Sequence, residues 1–243
     1  NNLGFTLMRL NQLDEAEQHL QKALEIDPTF APALGNMALV AERRQQPEKA
    51  IEYFEKALEL DPGLLSARNG LATQLVRSGD VIGAIQQWQE VLQIDPNELA
   101  AIYNIAMARA GRAEHAEAIE YLRRGLGIAP DSSRFVAALA WELATAPDDE
   151  LRGGAEAMEL ARRVYSAYPN QPRIVDVMAA ALAETGDFEN AVKLMEPLAK
   201  LSGADGGPFA MRLKAYRRET PWRQIATPAV KVPVDSTAEE PGQ

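Results

Sequence analysis

Between Ala31 and Leu64 the apolar residues fall into two runs. Leu34, Met37, Ala38 and Ala41 keep the i, i+3, i+4, i+7 spacing of one helical face, and Ala50, Phe54, Ala57 and Leu58 form a second such face after an interruption at Gln45-Gln46-Pro47. The pattern predicts two amphipathic helices joined by a tight turn. The pair Asp61-Pro62 closes the second helix, because a residue before proline is driven out of the α region and the proline is tolerated in the first turn of the next element.

This hairpin recurs. Asp27-Pro28, Asp61-Pro62 and Asp95-Pro96 are spaced by 34 residues, and Pro130 and Pro169 continue the series with a different preceding residue. Whole columns keep the same period: Leu3, Met37, Leu71, Ile105 and Leu139; Gly4, Ala38, Ala72, Ala106 and Ala140; Ala16, Ala50, Ala84 and Ala118. A bulky column (Leu20, Phe54, Trp88, Leu122) is followed by a short one (Ala23, Ala57, Val91, Gly125). Large residues alternating with small ones are what helices with axes about 8–10 Å apart require. A repeat of this kind buries its apolar face only against its neighbours, so length counts repeats and there is no single core.

The residues Leu3, Gly4, Ala16, Leu20, Ala23 and Pro28, and later Leu71, Ala72, Gly79, Ala84, Trp88 and Pro96, resemble the tetratricopeptide repeat family over roughly residues 1–201. The resemblance implies an all-α, right-handed superhelical solenoid of antiparallel hairpins. Repeats are expected at 1–30 (lacking the start of its first helix), 31–64, 65–98, 99–132, 133–171 and 172–201, with a capping helix at 208–218 and a flexible tail at 224–243. The unit at 133–171 is a variant, because Pro130 to Pro169 spans 39 residues and the extra ones fit in the loop Ala146–Gly154 between helices at Ser133–Thr145 and Ala155–Tyr168. In the capping helix, Phe209, Leu213 and Tyr216 are expected to cover the last hairpin while Arg212, Lys214, Arg217 and Arg218 face water. The stretch Leu139–Thr145 with Pro147 and Gly154–Ala157 resembles the penultimate repeat of bacterial arrays at the C-terminal end of a longer, often membrane-linked chain. Together with the abrupt start at Asn1, this implies a C-terminal part of a longer protein, with an upstream membrane anchor compatible with it and the compartment, bacterial cytoplasm or periplasm, left open.

Composition narrows the chemistry. The absence of cysteine removes disulfides, thiolate metal sites and cysteine nucleophiles, and a formal net charge of -10 argues against a nucleic-acid or anionic-membrane surface. No apolar run is long enough for a transmembrane helix. His19 and His115 occupy different hairpin positions with no metal-ligand spacing, and Gly203–Gly207 lacks the Lys-Ser/Thr ending of a phosphate loop. The many Asp and Glu residues read as solvated helix faces. No catalytic residue, cofactor or metal is expected.

What remains is the groove lined by the first helix of each hairpin. In the family its sixth position often carries an asparagine that binds a peptide backbone; here the column is Asn2, Asn36, Gly70 with Asn69 beside it, Asn104, Ala138 and Val177. An amide both donates and accepts, which suits an extended peptide of any sequence. Arg9, Arg43 and Arg77 form a second series, suited to carboxylates and carbonyls or, equally, to the unpaired carbonyls at a helix C-terminus. Tyr103, Met107 and Trp141 make the groove more apolar further along. The expected function is a non-catalytic scaffold holding a segment or helix of a partner protein, as an assembly or adaptor subunit of a bacterial complex. The rivals are a substrate-recognition array of a larger enzyme, such as a membrane glycosyltransferase, and a purely structural subunit.

Overall fold

The computed structural model describes residues 1–201 and 207–224. Apart from Gln224, the tail 224–243 lies outside the described residues, as does Gly203–Gly207 apart from Gly207. Among the described residues there is no strand, and the α-helices are α1 (Asn2–Arg9), α2 (Leu13–Ile26), α3 (Ala31–Arg43), α4 (Pro47–Leu60), α5 (Leu65–Ser78), α6 (Val81–Ile94), α7 (Leu99–Gly111), α8 (His115–Ile128), α9 (Ser133–Thr145), α10 (Gly154–Ala167), α11 (Pro172–Glu184), α12 (Phe188–Leu201) and α13 (Pro208–Tyr216). A single 3-10 turn at Asp149–Leu151 lies between α9 and α10. The fold is the all-α one expected. It divides into two compact units, residues 1–108 and the described residues from 109 onward.

The turn after every first helix except α9 is a Schellman ending; α9 instead runs into an extended Ala146, φ -53° and ψ 137°. Asn11, Gln45, Gly79, Ala113 and Gly186 adopt φ of 61°, 58°, 94°, 61° and 86°. The N–H of the next residue then donates to a carbonyl five residues back, as in Gln46 to Ala41 and Glu114 to Arg109, both at 2.9 Å. A left-handed residue with a Cβ is strained by about 1–2 kcal/mol, and Ala113 has no polar side chain to offset it. Ala113→Gly should therefore raise stability by about 1 kcal/mol, the exposed methyl being of no packing value. A urea midpoint that stays put or falls would contradict this.

The Asp-Pro pairs end the second helices for a reason beyond the proline. Asp27, Asp61 and Asp95 are extended, and their Oδ1 atoms accept from the N–H two residues on, of Thr29 (2.9 Å), Gly63 (2.9 Å) and Asn97 (3.0 Å). Each main-chain carbonyl also accepts from the third residue on, at 3.2 Å. These are Asx turns, which reverse the chain and start the next hairpin. At Ala129 only the backbone bond from Ser132 survives, at 3.1 Å.

In the first unit the bulky column Leu20, Phe54 and Trp88 is almost wholly buried, interleaved with Ala16, Ala50 and Ala84. Leu3 departs from its column: it is 54 % exposed, whereas Met37 and Leu71 are buried. Gly70 is small because the Phe54 ring fills the place of its Cβ. The second unit repeats the device in mirror order, with Gly125 on α8 under the Phe135 ring of α9. The enlarged loop after α9 is tied down by Arg152, whose Nη1 donates to the carbonyls of Ala146 (3.1 Å) and Pro147 (3.0 Å) while Nε donates to Glu184 (3.1 Å).

The C-terminal helix caps the second unit, but it ends at Tyr216 and buries more than expected. Leu213 and Tyr216 join the core made by α11 and α12, with Phe209 half-buried beside them. Arg212 does not face water: it is 9 % exposed and makes a two-pronged ion pair with Asp176 of α11, Nε–Oδ1 2.8 Å and Nη2–Oδ2 2.6 Å. Two carboxylates thereby leave the expected solvated faces, Asp176 and, on α9, Glu142, which meets His115 Nδ1 at 2.8 Å in a buried pair.

Candidate protein-binding faces

The first helices α1, α3 and α5 lie side by side in the first unit, so residues repeating at 34-residue intervals stack along one face. Asn36 is half-buried and its Nδ2 donates to Asn1 Oδ1 at 2.7 Å, which places Asn1 rather than the exposed Asn2 against it. Asn69 is half-buried, and its buried Oδ1 finds no hydrogen-bond donor among the described residues. Asn104, on α7, is 4 % exposed and its Oδ1 is likewise without a donor. A buried amide oxygen without a partner costs about 1–3 kcal/mol, a cost relieved when the side chain turns outward to a donor.

Tyr103 is buried and Met107 half-buried on α7, so neither presents a large open apolar surface. Arg9 and Arg43 are exposed at the ends of α1 and α3. Arg77 is exposed too but is held by Glu42 of α3 through Nη1. Neighbouring hairpins are pinned by Arg44, which pairs with Asp14 and Glu17 at 2.5 Å, while the buried Arg68 ties α5 to α6 within one hairpin through Glu90 at 2.6 Å.

In the second unit Trp141 of α9 is not open. The Arg212 guanidinium lies 5.2 Å from its ring centre and also faces the rings of Phe209 (5.3 Å) and Trp222 (5.8 Å), within the range of cation–π attraction. Burial pushes the Asp176 carboxyl up to about 6 against the pull of Arg212 and Arg173, and it raises the Tyr216 phenol. After α13 the chain turns at Glu219, φ 54°, and runs back across the ends of α9 and α11. Sequence reasoning missed this return, since nothing in Trp222-Arg223-Gln224 marks it.

Among the described residues there is no cluster of three or more His, Asp or Glu that could hold a metal. Nor is any helix there long and apolar enough to cross a membrane.

Two family models, both of the tetratricopeptide repeat, match residues 1–62 and 75–142, together more than half of the chain. No curated protein matches. Among solved structures, the chain is similar to PilF of Pseudomonas aeruginosa, with 21 % identity and TM-score 0.73 over 90 % of this chain and 95 % of that one. A tetratricopeptide repeat protein of Parabacteroides merdae is similar at 16 % identity and TM-score 0.68, covering 88 % and 82 %. YrrB, a tetratricopeptide repeat protein with an unusual peptide-binding site, is similar at 18 % identity and TM-score 0.64, covering 80 % and 97 %. At these identities the likeness is one of fold. With repeat models matching more than half of its residues, the chain belongs to the tetratricopeptide repeat family.

Proposed function

We propose that the chain is a non-catalytic scaffold that holds an extended segment of a partner protein on the first-helix face of its first unit, as an adaptor or assembly subunit. The observation that carries this reading is the pair of buried, donor-less amide oxygens on Asn69 and Asn104, in series with Asn36. A peptide laid along this face supplies N–H donors to those oxygens once the amides rotate outward, and accepts from the amide nitrogens. Gly70 is no gap in the series: its column position is filled by Phe54, and Asn69 supplies the amide from the adjacent one. Arg43, exposed beside this face, supports a partner with acidic groups, and Arg77 joins it by exchanging Glu42 for a carboxylate of the partner. YrrB, of the same fold, binds peptide, which agrees with the reading.

The partner is identified by pull-down with the intact protein and mass spectrometry, and its affinity is then measured by calorimetry. Asn69→Ala with Asn104→Ala is expected to weaken binding by about 2–3 kcal/mol, since each lost amide forfeits about 1–1.5 kcal/mol. Arg43→Glu with Arg77→Glu should weaken it further as salt falls. Full affinity in the asparagine variant would exclude this face as the binding site.

A further inference from the structure

In the second unit the first helices α9 and α11 are neighbours, as α1, α3 and α5 are in the first. Their C-terminal ends are not bare. Beyond α13 the non-helical residues 220–224 lie across them: the Gln224 N–H donates to the Thr145 carbonyl at 2.9 Å, and Gln224 Nε2 donates to Thr145 Oγ1 at 2.9 Å. Arg223 Nη1 reaches the Ala144 carbonyl at 3.3 Å and pairs with Glu184 of α11 at 2.7 Å, while Trp222 packs on the core and faces Arg212.

We propose that this face of α9 and α11 is a peptide-binding site for an extended aromatic–Arg–Gln segment, and that residues 222–224 are its resident occupant. A segment of the same chemistry from a partner protein enters when this strap leaves. The partner's entry rests on the scaffold reading above; the cis-bound strap does not.

The contacts fit this role. Thr145 and Ala144 are the last residues of α9, where carbonyls lack an intrahelical donor, so any extended chain can cap them. Glu184 is 12 % exposed at its side chain and is shared with Arg152, which leaves a guanidinium subsite of defined charge. Residues 221–224 are only half-buried, whereas Leu213 and Tyr216 of α13 are core. The strap can therefore leave without removing the cap. A tether of a few residues acts at an effective concentration of order millimolar, enough to keep a weak segment in place and to exclude weak competitors.

The test uses the full chain labelled with nitrogen-15 and a synthetic peptide with the sequence of residues 219–224. Trp222→Ala with Arg223→Ala vacates the site. Titration of that variant should give saturable shifts of the Thr145, Ala146 and Glu184 amide signals, while the unaltered chain binds the peptide at least about tenfold more weakly because its site is filled. Alanine in place of the peptide's arginine should weaken binding by about tenfold. Arg223→Ala alone, which keeps Trp222 on Arg212, decides the matter if the double variant loses its helical circular dichroism. No shifts at those amides in a folded variant, or equal binding by the unaltered chain, overturns the proposal. Every signal read belongs to the second unit, so failure here leaves partner binding by the first unit standing, and the reverse also holds.

Discussion

Asp176→Ala is expected to cost the second unit about 3–5 kcal/mol, since it leaves the buried Arg212 guanidinium without the carboxyl oxygens that accept its hydrogen bonds, which a protonated Asp176 still supplies. Three aromatic rings around Arg212 soften the loss but do not neutralise the charge. Asp176→Leu with Arg212→Met should recover most of the stability, because two apolar side chains need no counter-charge and fill a similar volume. Urea unfolding followed by far-ultraviolet circular dichroism measures both; a single variant as stable as the double would show that the pair is not coupled. The same carboxylate sets a pH dependence. Its pKa in the folded chain is raised to about 6 from 3.8, so its contribution is fully present below pH 3.8 and is lost as the pH rises through 6. This group alone makes the unit more stable at about pH 5 than at about pH 7, and Asp176→Asn should flatten that slope.

Trp88→Ala should destabilise the first unit by about 3–5 kcal/mol. Trp88 is fully buried and stands in the column that Leu20 and Phe54 occupy in the preceding hairpins. Its Nε1 has no hydrogen-bond partner among the described residues, so the ring contributes through packing and not through its N–H. Trp88→Phe should therefore lose only a fraction of what alanine loses. Thermal melts of the two variants separate the cases: equal losses would mean that the indole nitrogen matters after all. Because repeats lean on their neighbours, the alanine cavity should also loosen α5 and the residues around Leu71 and Gly70, visible as faster amide exchange there.

The features legible in the chain were those set within one hairpin. Gln45 and Gly79 turn the chain, and Asp27, Asp61 and Asp95 stop the second helices, each through hydrogen bonds to residues at most five positions away. Such contacts repeat whenever the local sequence repeats. Arg212 shows where this reasoning stops. It lies beside Phe209, Leu213 and Tyr216 on the inner side of α13, and the helical spacing alone allows it to turn either way. Its burial was decided by Asp176, 36 residues earlier in the chain, and by the ring of Trp141. His115, which has no metal-ligand spacing in the sequence, is buried against Glu142, and no spacing in the sequence pairs the two.

The proposed binding residues divide along the same line. Asn36 and Asn104 could be picked out by counting, because a 34-residue period carries a helix position to the same place on the next hairpin, and Asn69 stands one place before the Gly70 that the same count reaches. That Asn69 and Asn104 keep buried oxygens without donors depends on what packs around them, and so does the closure of Trp141. By itself the sequence determined the hairpins, their turns and their family, since each rests on short-range backbone geometry and a repeated apolar pattern. Only the tertiary structure decided which faces stay open. Gln224 reaches Thr145 across 79 residues of chain, and a contact of that span is settled by shape and charge that no local pattern encodes.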